Sequence, residues 1–226
     1  MDRVKTGIIG LDKHIEGGYP KNASIVLIGP PGCGKSTIAQ QFVVEGLKNR
    51  QPVIYVAFDS SPEEITDSLQ RFGKVEKEKL KFIDGYSWRI GESGGENKIG
   101  DLSNINELNI TVGDVLRSLN GAPVKRGVFD SLSTLLLYAD PTLVIKFIPV
   151  ITAKIKTAGY NLVMILEEGV HDPRILSTVS YVVDGSISFK IEENKRYLRV
   201  DKMKGTKHSL EWLEFETTER GVVLRD

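Results

Sequence analysis

The chain contains 226 residues, of which 40% are hydrophobic and 27% are charged, a balance typical of a soluble globular protein. Lysine plus arginine and aspartate plus glutamate each number 30, so the zero net charge gives no overall electrostatic reason to bind nucleic acid or an anionic membrane. The single cysteine excludes an intramolecular disulfide, and no apolar run approaches the length of a membrane span. We therefore expect one α/β domain over residues 1–226, in the cytoplasm and with no membrane partner.

The N-terminal part of the chain leads into a buried strand. Residues 3–23 are rich in turn formers, and Leu11 to Glu16 is predicted to be a short helix that ends at a glycine pair. The next run, Ser24 to Ile28, is apolar and rich in β-branched residues, which predicts a strand buried on both faces. A helix is predicted from Thr37 to Lys48, where apolar residues recur at helical spacing.

Between this strand and this helix lies a glycine-rich motif that matches G-x-x-x-x-G-K-[ST], the pattern of a phosphate-binding loop. Its residues are Gly29, Pro30, Pro31, Gly32, Cys33, Gly34, Lys35 and Ser36, with Thr37 next in the helix. Glycines let backbone N–H groups turn inward around phosphate oxygens, and the helix N-terminus adds free donors and a positive dipole end. Lys35 can then reach the β- and γ-phosphates, and the Ser36 hydroxyl can ligate Mg²⁺.

Two further strands and a helix follow the motif. Val53 to Phe58 is predicted to be a buried strand, and Leu80 to Asp84 a short strand. The helix between them begins at an N-cap, Ser61, and runs to about Phe72.

The least regular stretch of the sequence is residues 85–110, which include Gly91, Gly94, Gly95 and Gly100 among polar residues. A loop of this length inside a compact domain is usually functional or mobile. Trp88 and Arg89 lie at its start, where they either form a contact surface or pack against the core.

The second half of the chain continues the alternation of helices and strands and then becomes β-rich. Helices are predicted at 112–119, 142–157 and 173–181, and strands at 124–131, 161–166, 186–191, 197–202, 213–217 and 222–224. Pro149 should kink the second of these helices or leave a carbonyl unpaired. The pattern predicts a central, mostly parallel sheet with helices on both faces and a β-rich C-terminal extension.

Three acids fall at the carboxyl ends of predicted parallel strands, and these ends form one rim of such a sheet. Asp130 is the candidate for the magnesium-side acid, which together with Ser36 would hold the metal ion. Asp59 or Glu167 could orient or deprotonate an attacking water. The alternative is that acids commonly end strands without any chemical role.

Several motifs beyond the loop resemble those of the RecA-like ATPases, specifically the archaeal KaiC-like branch, which is paralogous to RadA. The matching segments are Thr6 to Asp12, Gly17 to Pro20, the loop itself, Phe129 to Leu132 and Lys202 to Ser209. The resemblance spans nearly the whole chain, in the order of the family. It implies a RecA-like P-loop fold that binds ATP or ADP with Mg²⁺.

The same resemblance implies a homo-oligomer, in some members a hexameric ring, with ATP bound between subunits. Lys202 and Lys204 match the basic residues that reach the γ-phosphate of a neighbouring subunit. Two cations at i and i+2 of a strand face the same way, so both could point at one anion. Without the resemblance, two solvated lysines on an edge strand are the simpler interpretation.

The sequence departs from the family pattern at two positions. Asp59-Ser60 stands where the family usually has Glu-Glu, and Lys204 stands where it often has arginine. Both changes favour slow hydrolysis, because aspartate is shorter than glutamate and lysine lacks the bidentate contact of arginine. The hypotheses are a weak Mg²⁺-dependent ATPase that acts as a switch, a regulatory ATP-binding module with little turnover, or a relative of DNA-strand recombinases. Zero net charge and the lack of an added DNA-binding domain disfavour the third.

Overall fold

The structure, a computed structural model, describes residues 2–92, 95–119 and 125–225, and a nine-stranded sheet runs through the centre of this part of the chain. The strands are β1 (Arg3–Val4), β2 (Tyr19–Pro20), β3 (Ser24–Gly29), β4 (Val53–Ala57), β5 (Leu80–Asp84), β6 (Lys125–Asp130), β7 (Tyr160–Glu167), β8 (Gly185–Glu192), β9 (Lys195–Met203), β10 (Leu213–Thr218) and β11 (Gly221–Leu224). The helices are α1 (Leu11–His14), α2 (Lys35–Lys48), α3 (Pro62–Gln70), α4 (Ile105–Ser118), α5 (Leu132–Tyr138), α6 (Pro141–Thr157) and α7 (Pro173–Val182).

The order of strands in the sheet is β11-β10-β9-β8-β3-β7-β6-β4-β5. From β8 to β5 each neighbouring pair is parallel, whereas β9, β10 and β11 join by antiparallel pairing. The prediction of a mostly parallel sheet with a β-rich C-terminal extension is confirmed, and the extension continues the same sheet. β1 and β2, which the sequence did not reveal, form a separate two-stranded ribbon.

Helices cover the sheet on both faces, and β3 shows why its sequence is apolar throughout. Ile25 and Leu27 belong to the core that contains the apolar side chains of α2 and α3. Val26 and Ile28 belong to the opposite core, with those of α4, α5, α6 and α7. A strand between two cores needs apolar residues at consecutive positions rather than alternate ones.

The prediction for residues 85–110 was wrong in extent, because regular structure occupies both ends of that stretch. A 3₁₀ turn covers Ser87–Ile90, and α4 begins at Ile105, seven residues before the predicted helix start. The Asn104 side chain caps α4 by accepting a hydrogen bond from the Glu107 amide, at 3.2 Å. Polar residues in the first turn interrupt the apolar spacing, so this spacing does not show where the helix begins. Gly94 lies outside the described residues.

The sequence also gave no indication of α5, a seven-residue helix that follows β6 directly. Ser131, predicted as the end of the strand, instead caps this helix and accepts a hydrogen bond from the Thr134 amide at 3.4 Å. Val124, the predicted first residue of that strand, lies outside the described residues. α6 runs without interruption through Pro149, while the expected kink or unpaired carbonyl stays a prediction.

None of the helices in the described part of the chain combines the length and the apolar character that crossing a membrane requires.

Candidate functional site

The glycine-rich loop joins β3 to α2, and its backbone conformation depends on glycine. Gly32 and Gly34 have positive φ angles of 76° and 104°. A Cβ on Gly29 would lie 2.6 Å from the Phe189 Cβ, so no larger residue fits there. These are the positions at which a side chain would be strained or would clash.

The N-terminus of α2 opens onto this loop without the features that normally satisfy a helix end. Gly34 is the N-cap, no side chain caps the free amides, and no acidic residue lies in the first turn. Such an end presents backbone N–H donors and a positive dipole end to an anion. The geometry is therefore suited to a phosphate group.

The side chain of Lys35 is buried, and its ammonium group contacts the backbone of the loop. Its side chain is 3% exposed, and its Nζ lies 2.9 Å from the Glu167 Oε2. The same Nζ donates to the carbonyls of Gly29 and Pro30, at 2.8 and 2.7 Å, and contacts the Cys33 Sγ at 3.3 Å. The parallel pairing of Gly29 with Glu167 places the carboxylate beside the loop. A buried cation needs such a partner, so Glu167 is the counter-ion of Lys35.

Asp130 ends β6 and lies between two hydroxyl groups. Its Oδ2 accepts a hydrogen bond from the Tyr55 hydroxyl at 2.6 Å, and its Oδ1 lies 3.3 Å from the Ser36 Oγ. Burial raises the pKa of Asp130 to about 6, and the charges of Asp59 and Glu167 act in the same direction. The two hydroxyl hydrogen bonds oppose this shift without cancelling it.

Asp59 lies just beyond β4, on the rim that also carries Asp130. Its Oδ1 accepts a hydrogen bond from the Thr134 hydroxyl and lies 3.9 Å from the Arg89 Nη2. The parallel pairing of Ala57 with Asp130 explains the proximity of the two acids. The sequence indicated Arg89 without assigning it a chemical role and missed Thr134, for which it offers no local signal.

Glu167 is the third rim acid, and α5 holds its backbone. The Glu167 amide donates to the Ser133 hydroxyl at 2.7 Å. The structure thus brings together the loop and the three acids that the sequence placed on one rim. It adds two side chains from the first turn of α5, those of Ser133 and Thr134.

Lys202 and Lys204 do not contact the loop within the described chain. The Lys202 Nζ donates to three carbonyls at the end of α7, those of Ser180, Tyr181 and Val183, at 3.0, 3.1 and 2.5 Å. β9 ends at Met203, so the alternation expected for i and i+2 does not extend to Lys204. The Lys204 side chain is exposed and has no hydrogen bond or ion pair with another described residue.

The residues present fit a magnesium ion, although no three histidine, cysteine or acidic side chains in the described ranges are arranged to hold a metal ion by themselves. Mg²⁺ in phosphate sites keeps several waters and takes few protein ligands, together with phosphate oxygens. The hydroxyl of Ser36 beside the carboxylate of Asp130 supplies oxygen ligands of this kind.

In this fold a central strand of a parallel sheet leads through a glycine-rich loop into an uncapped helix, and a neighbouring strand ends in an acid. This arrangement defines a RecA-like P-loop nucleotide-binding protein. A family model described as "ATPase: KaiC" matches residues 4–226. The chain belongs to this KaiC-like family of the RecA superfamily.

Individual relatives agree with this assignment. A "UPF0273 protein" of Thermotoga maritima is 33% identical over 241 residues, which cover 99% of this chain and 96% of that protein. A protein of the same description from Pyrococcus furiosus is also 33% identical, over 98% of this chain and 93% of its own length. The crystal structure of a KaiC-like protein from Pyrococcus horikoshii superposes with a TM-score of 0.80 and 25% identity, over 100% of this chain and 99% of the other.

Proposed function

We propose that this protein binds Mg-ATP at residues 29–37 and hydrolyses it slowly, as a switch whose conformation depends on the bound nucleotide. The observation that carries the proposal is the arrangement at the start of α2, where a buried lysine and an uncapped helix end meet the acids of one rim. Membership of a nucleotide-binding ATPase family supports it.

In this proposal the loop amides and Lys35 hold the phosphates, and Ser36 and Asp130 hold Mg²⁺. The metal ion, when bound, would neutralise charge that develops on the β- and γ-phosphate oxygens. Because Lys35 now contacts Glu167, an incoming phosphate competes with that carboxylate for the ammonium group. Nucleotide binding therefore releases Glu167, and this displacement is the proposed switch.

We assign water activation to Asp59 rather than to Glu167. The Asp59 side chain is 42% exposed, whereas that of Glu167 is 25% exposed and is engaged by Lys35. A general base must contact the attacking water and must also pass the proton on to bulk solvent. This requirement favours the more exposed of the two carboxylates.

The same residue accounts for slow turnover. Aspartate is one methylene shorter than the glutamate usual in the family, and the adjacent Ser60 is a poor base. Displacing a general base from its best position typically costs about 10²–10⁴-fold in rate. A regulatory module that binds ATP with almost no hydrolysis is the alternative, and the Asp59-Ser60 pair is the feature that favours it.

Steady-state ATP hydrolysis and nucleotide binding test the proposal together. Wild-type protein should hydrolyse Mg-ATP at a low rate, and Lys35→Ala should abolish both this rate and tight binding. Equal phosphate release by wild type and Lys35→Ala, with Mg-ATP bound only by the wild type, would establish the regulatory alternative. Failure of the wild type to bind Mg-ATP at all would refute both.

We also propose that Mg-ATP favours a homo-oligomer, of which a hexameric ring is one form, with Lys204 directed at a neighbouring subunit. Its exposure and its lack of a described partner support this, and so does the family. Lys202 would have to leave three carbonyls of α7 to take the same role.

A further inference from the structure

The carboxylate of Asp59 is held at only one of its two oxygens. The Thr134 hydroxyl donates to Oδ1, and the Arg89 Nη2 lies 3.9 Å from the same atom. No side chain or amide of the described residues donates to Oδ2. Since the side chain is 42% exposed, Oδ2 has access to water.

The two residues that contact Oδ1 come from different elements, and Arg89 packs against the helix that carries Thr134. Thr134 and Tyr138 are four residues apart on α5, so they lie on the same face of that helix. The Arg89 guanidinium carbon lies 5.3 Å from the centroid of the Tyr138 ring and 5.6 Å from that of Tyr86. The Trp88 ring packs edge-on against Tyr138 at 5.0 Å. Cation–π and aromatic contacts of this kind fix the direction of the arginine side chain.

We propose that Thr134 and Arg89 are positioning residues which hold Asp59 through Oδ1, so that Oδ2 faces the water that attacks the γ-phosphate. The inference rests on the proposed hydrolysis of ATP. In that step the water oxygen bonds to the γ-phosphorus and the bond from phosphorus to the bridging oxygen of ADP breaks. The proton lost by the water passes to Oδ2 and then to solvent, so the products are ADP and inorganic phosphate.

This hold by Thr134 and Arg89 suits a carboxylate on a short side chain. A glutamate at this position would have one more rotatable bond with which to reach the water, whereas an aspartate must be aimed by its surroundings. Fixing a reacting group in its productive geometry is a large source of catalytic rate, and a displacement of 1 Å can cost about 10²-fold. The Thr134 residue is 8% exposed, so water does not readily replace its hydroxyl as the donor.

The test is a set of variants at Thr134 and Arg89, measured in single turnover with enzyme in excess over Mg-ATP. Thr134→Val keeps the shape and loses the hydroxyl, and it should lower the rate of the chemical step on the order of tenfold with unchanged ATP affinity. Thr134→Ser retains the donor and should stay near the wild-type rate. Arg89→Ala removes a longer, partly exposed contact and should lower the rate about twofold to fivefold.

A double variant separates positioning from a structural role. If Thr134 acts through Asp59, then Thr134→Val should cause no further loss of rate in an Asp59→Asn background. An equal loss in both backgrounds would overturn the proposal, because a general disturbance of the site does not depend on the carboxylate. Thr111→Val on α4 is the matched control, since its hydroxyl only donates to the Glu107 carbonyl of the same helix at 3.0 Å.

Two outcomes distinguish this proposal from the one it rests on. If the wild type hydrolyses ATP and Thr134→Val does so equally fast, the positioning proposal is wrong and the proposed function stands. If the wild type binds Mg-ATP and releases no phosphate above the level of Lys35→Ala, both the hydrolysis and the positioning role are overturned.

Discussion

The Nζ of Lys35 lies 2.9 Å from the Oε2 of Glu167, and this pair lies beside the glycine-rich loop. The ammonium group also donates to two loop carbonyls, so its charge is satisfied within the chain. In the proposed function, a phosphate would replace the carboxylate as the anion beside this cation. The strength of the internal pair would then limit the affinity for nucleotide.

Glu167→Gln should weaken the nucleotide-free fold and strengthen binding. An amide keeps the shape but lacks the charge that balances Lys35, so the free energy of unfolding should fall by about 1–3 kcal/mol. This is less than for a fully buried pair, because Glu167 is partly exposed. Calorimetry with a non-hydrolysable ATP analogue should show tighter binding, and thermal melts should show a larger stabilisation by that ligand.

The neighbouring, exposed Glu168 supplies the matched control for this prediction. Glu168→Gln should change neither the melting temperature nor the affinity for the analogue. If Glu167→Gln leaves both quantities at the wild-type values, the carboxylate does not compete with phosphate.

Asp130 should make the stability of the fold depend on pH in the direction opposite to an ordinary paired carboxylate. Its pKa rises from 3.8 to about 6 on folding, so the folded chain binds this proton more tightly than the unfolded chain. The resulting stabilisation is fully present below pH 3.8 and is lost as the pH rises through about 6. Two pKa units correspond to about 3 kcal/mol.

Asp130→Asn isolates this contribution because asparagine resembles the protonated acid at every pH. In urea unfolding from pH 4 to pH 8, the variant should gain up to about 3 kcal/mol over the wild type, with most of the change between pH 4 and 6. Below pH 4 the two proteins should differ little in their pH dependence. A difference that stays constant across the range would mean that Asp130 titrates normally in the folded chain.

The sequence predicted the parts of the site that follow from local pattern, and it missed those that depend on contacts across the sheet. The loop and the strand-end acids are local features, since the apolar runs at 53–58 and 161–166 stop directly before Asp59 and Glu167. Thr134 contacts a carboxylate 75 residues away, and nothing in its own neighbourhood indicates that partner. The contacts of Lys202 with carbonyls at the end of α7 could not be predicted for the same reason, because those partners lie 19 to 22 residues earlier in the chain.

Gly46→Ala should destabilise the protein, although alanine in a helix is normally the more stable residue. A Cβ at this position of α2 would lie 2.4 Å from the Cδ of Arg126. Arg126 is 1% exposed, and its guanidinium donates to Gln51 and to the carbonyls of Lys5 and Phe42, so it cannot move aside. Overpacking of this kind costs about 1–3 kcal/mol.

Gly113→Ala on α4 is the matched control and should have the opposite sign. There the nearest atom to a Cβ would be the Lys154 Nζ at 3.4 Å, which is an ordinary van der Waals separation and requires no movement of the side chain. The usual preference of a helix for alanine then applies, about 0.5–1 kcal/mol in favour of the variant. Urea unfolding of both variants measures the difference, and a stabilising Gly46→Ala would show that Arg126 is not fixed.

Lys202 and Lys204 should affect different properties although they lie two residues apart. The Lys202 ammonium caps the carbonyls at the end of α7, and a cation at a helix C-terminus contributes about 0.3–1 kcal/mol. Lys202→Ala should therefore lower the stability of the nucleotide-free chain by that amount in urea unfolding. Lys204→Ala should leave this stability within about 0.5 kcal/mol of the wild type.

In the presence of Mg-ATP, Lys204→Ala should have a larger effect than Lys202→Ala. If Lys204 reaches the nucleotide of a neighbour, Lys204→Ala should reduce the ATP-dependent increase in mass that light scattering detects, and should slow phosphate release. Lys202→Ala should retain most of this increase, because its ammonium group is engaged within its own chain. An unchanged monomer mass for the wild type with and without Mg-ATP would contradict the composite site, and a loss of assembly confined to Lys202→Ala would assign the contact to the other lysine.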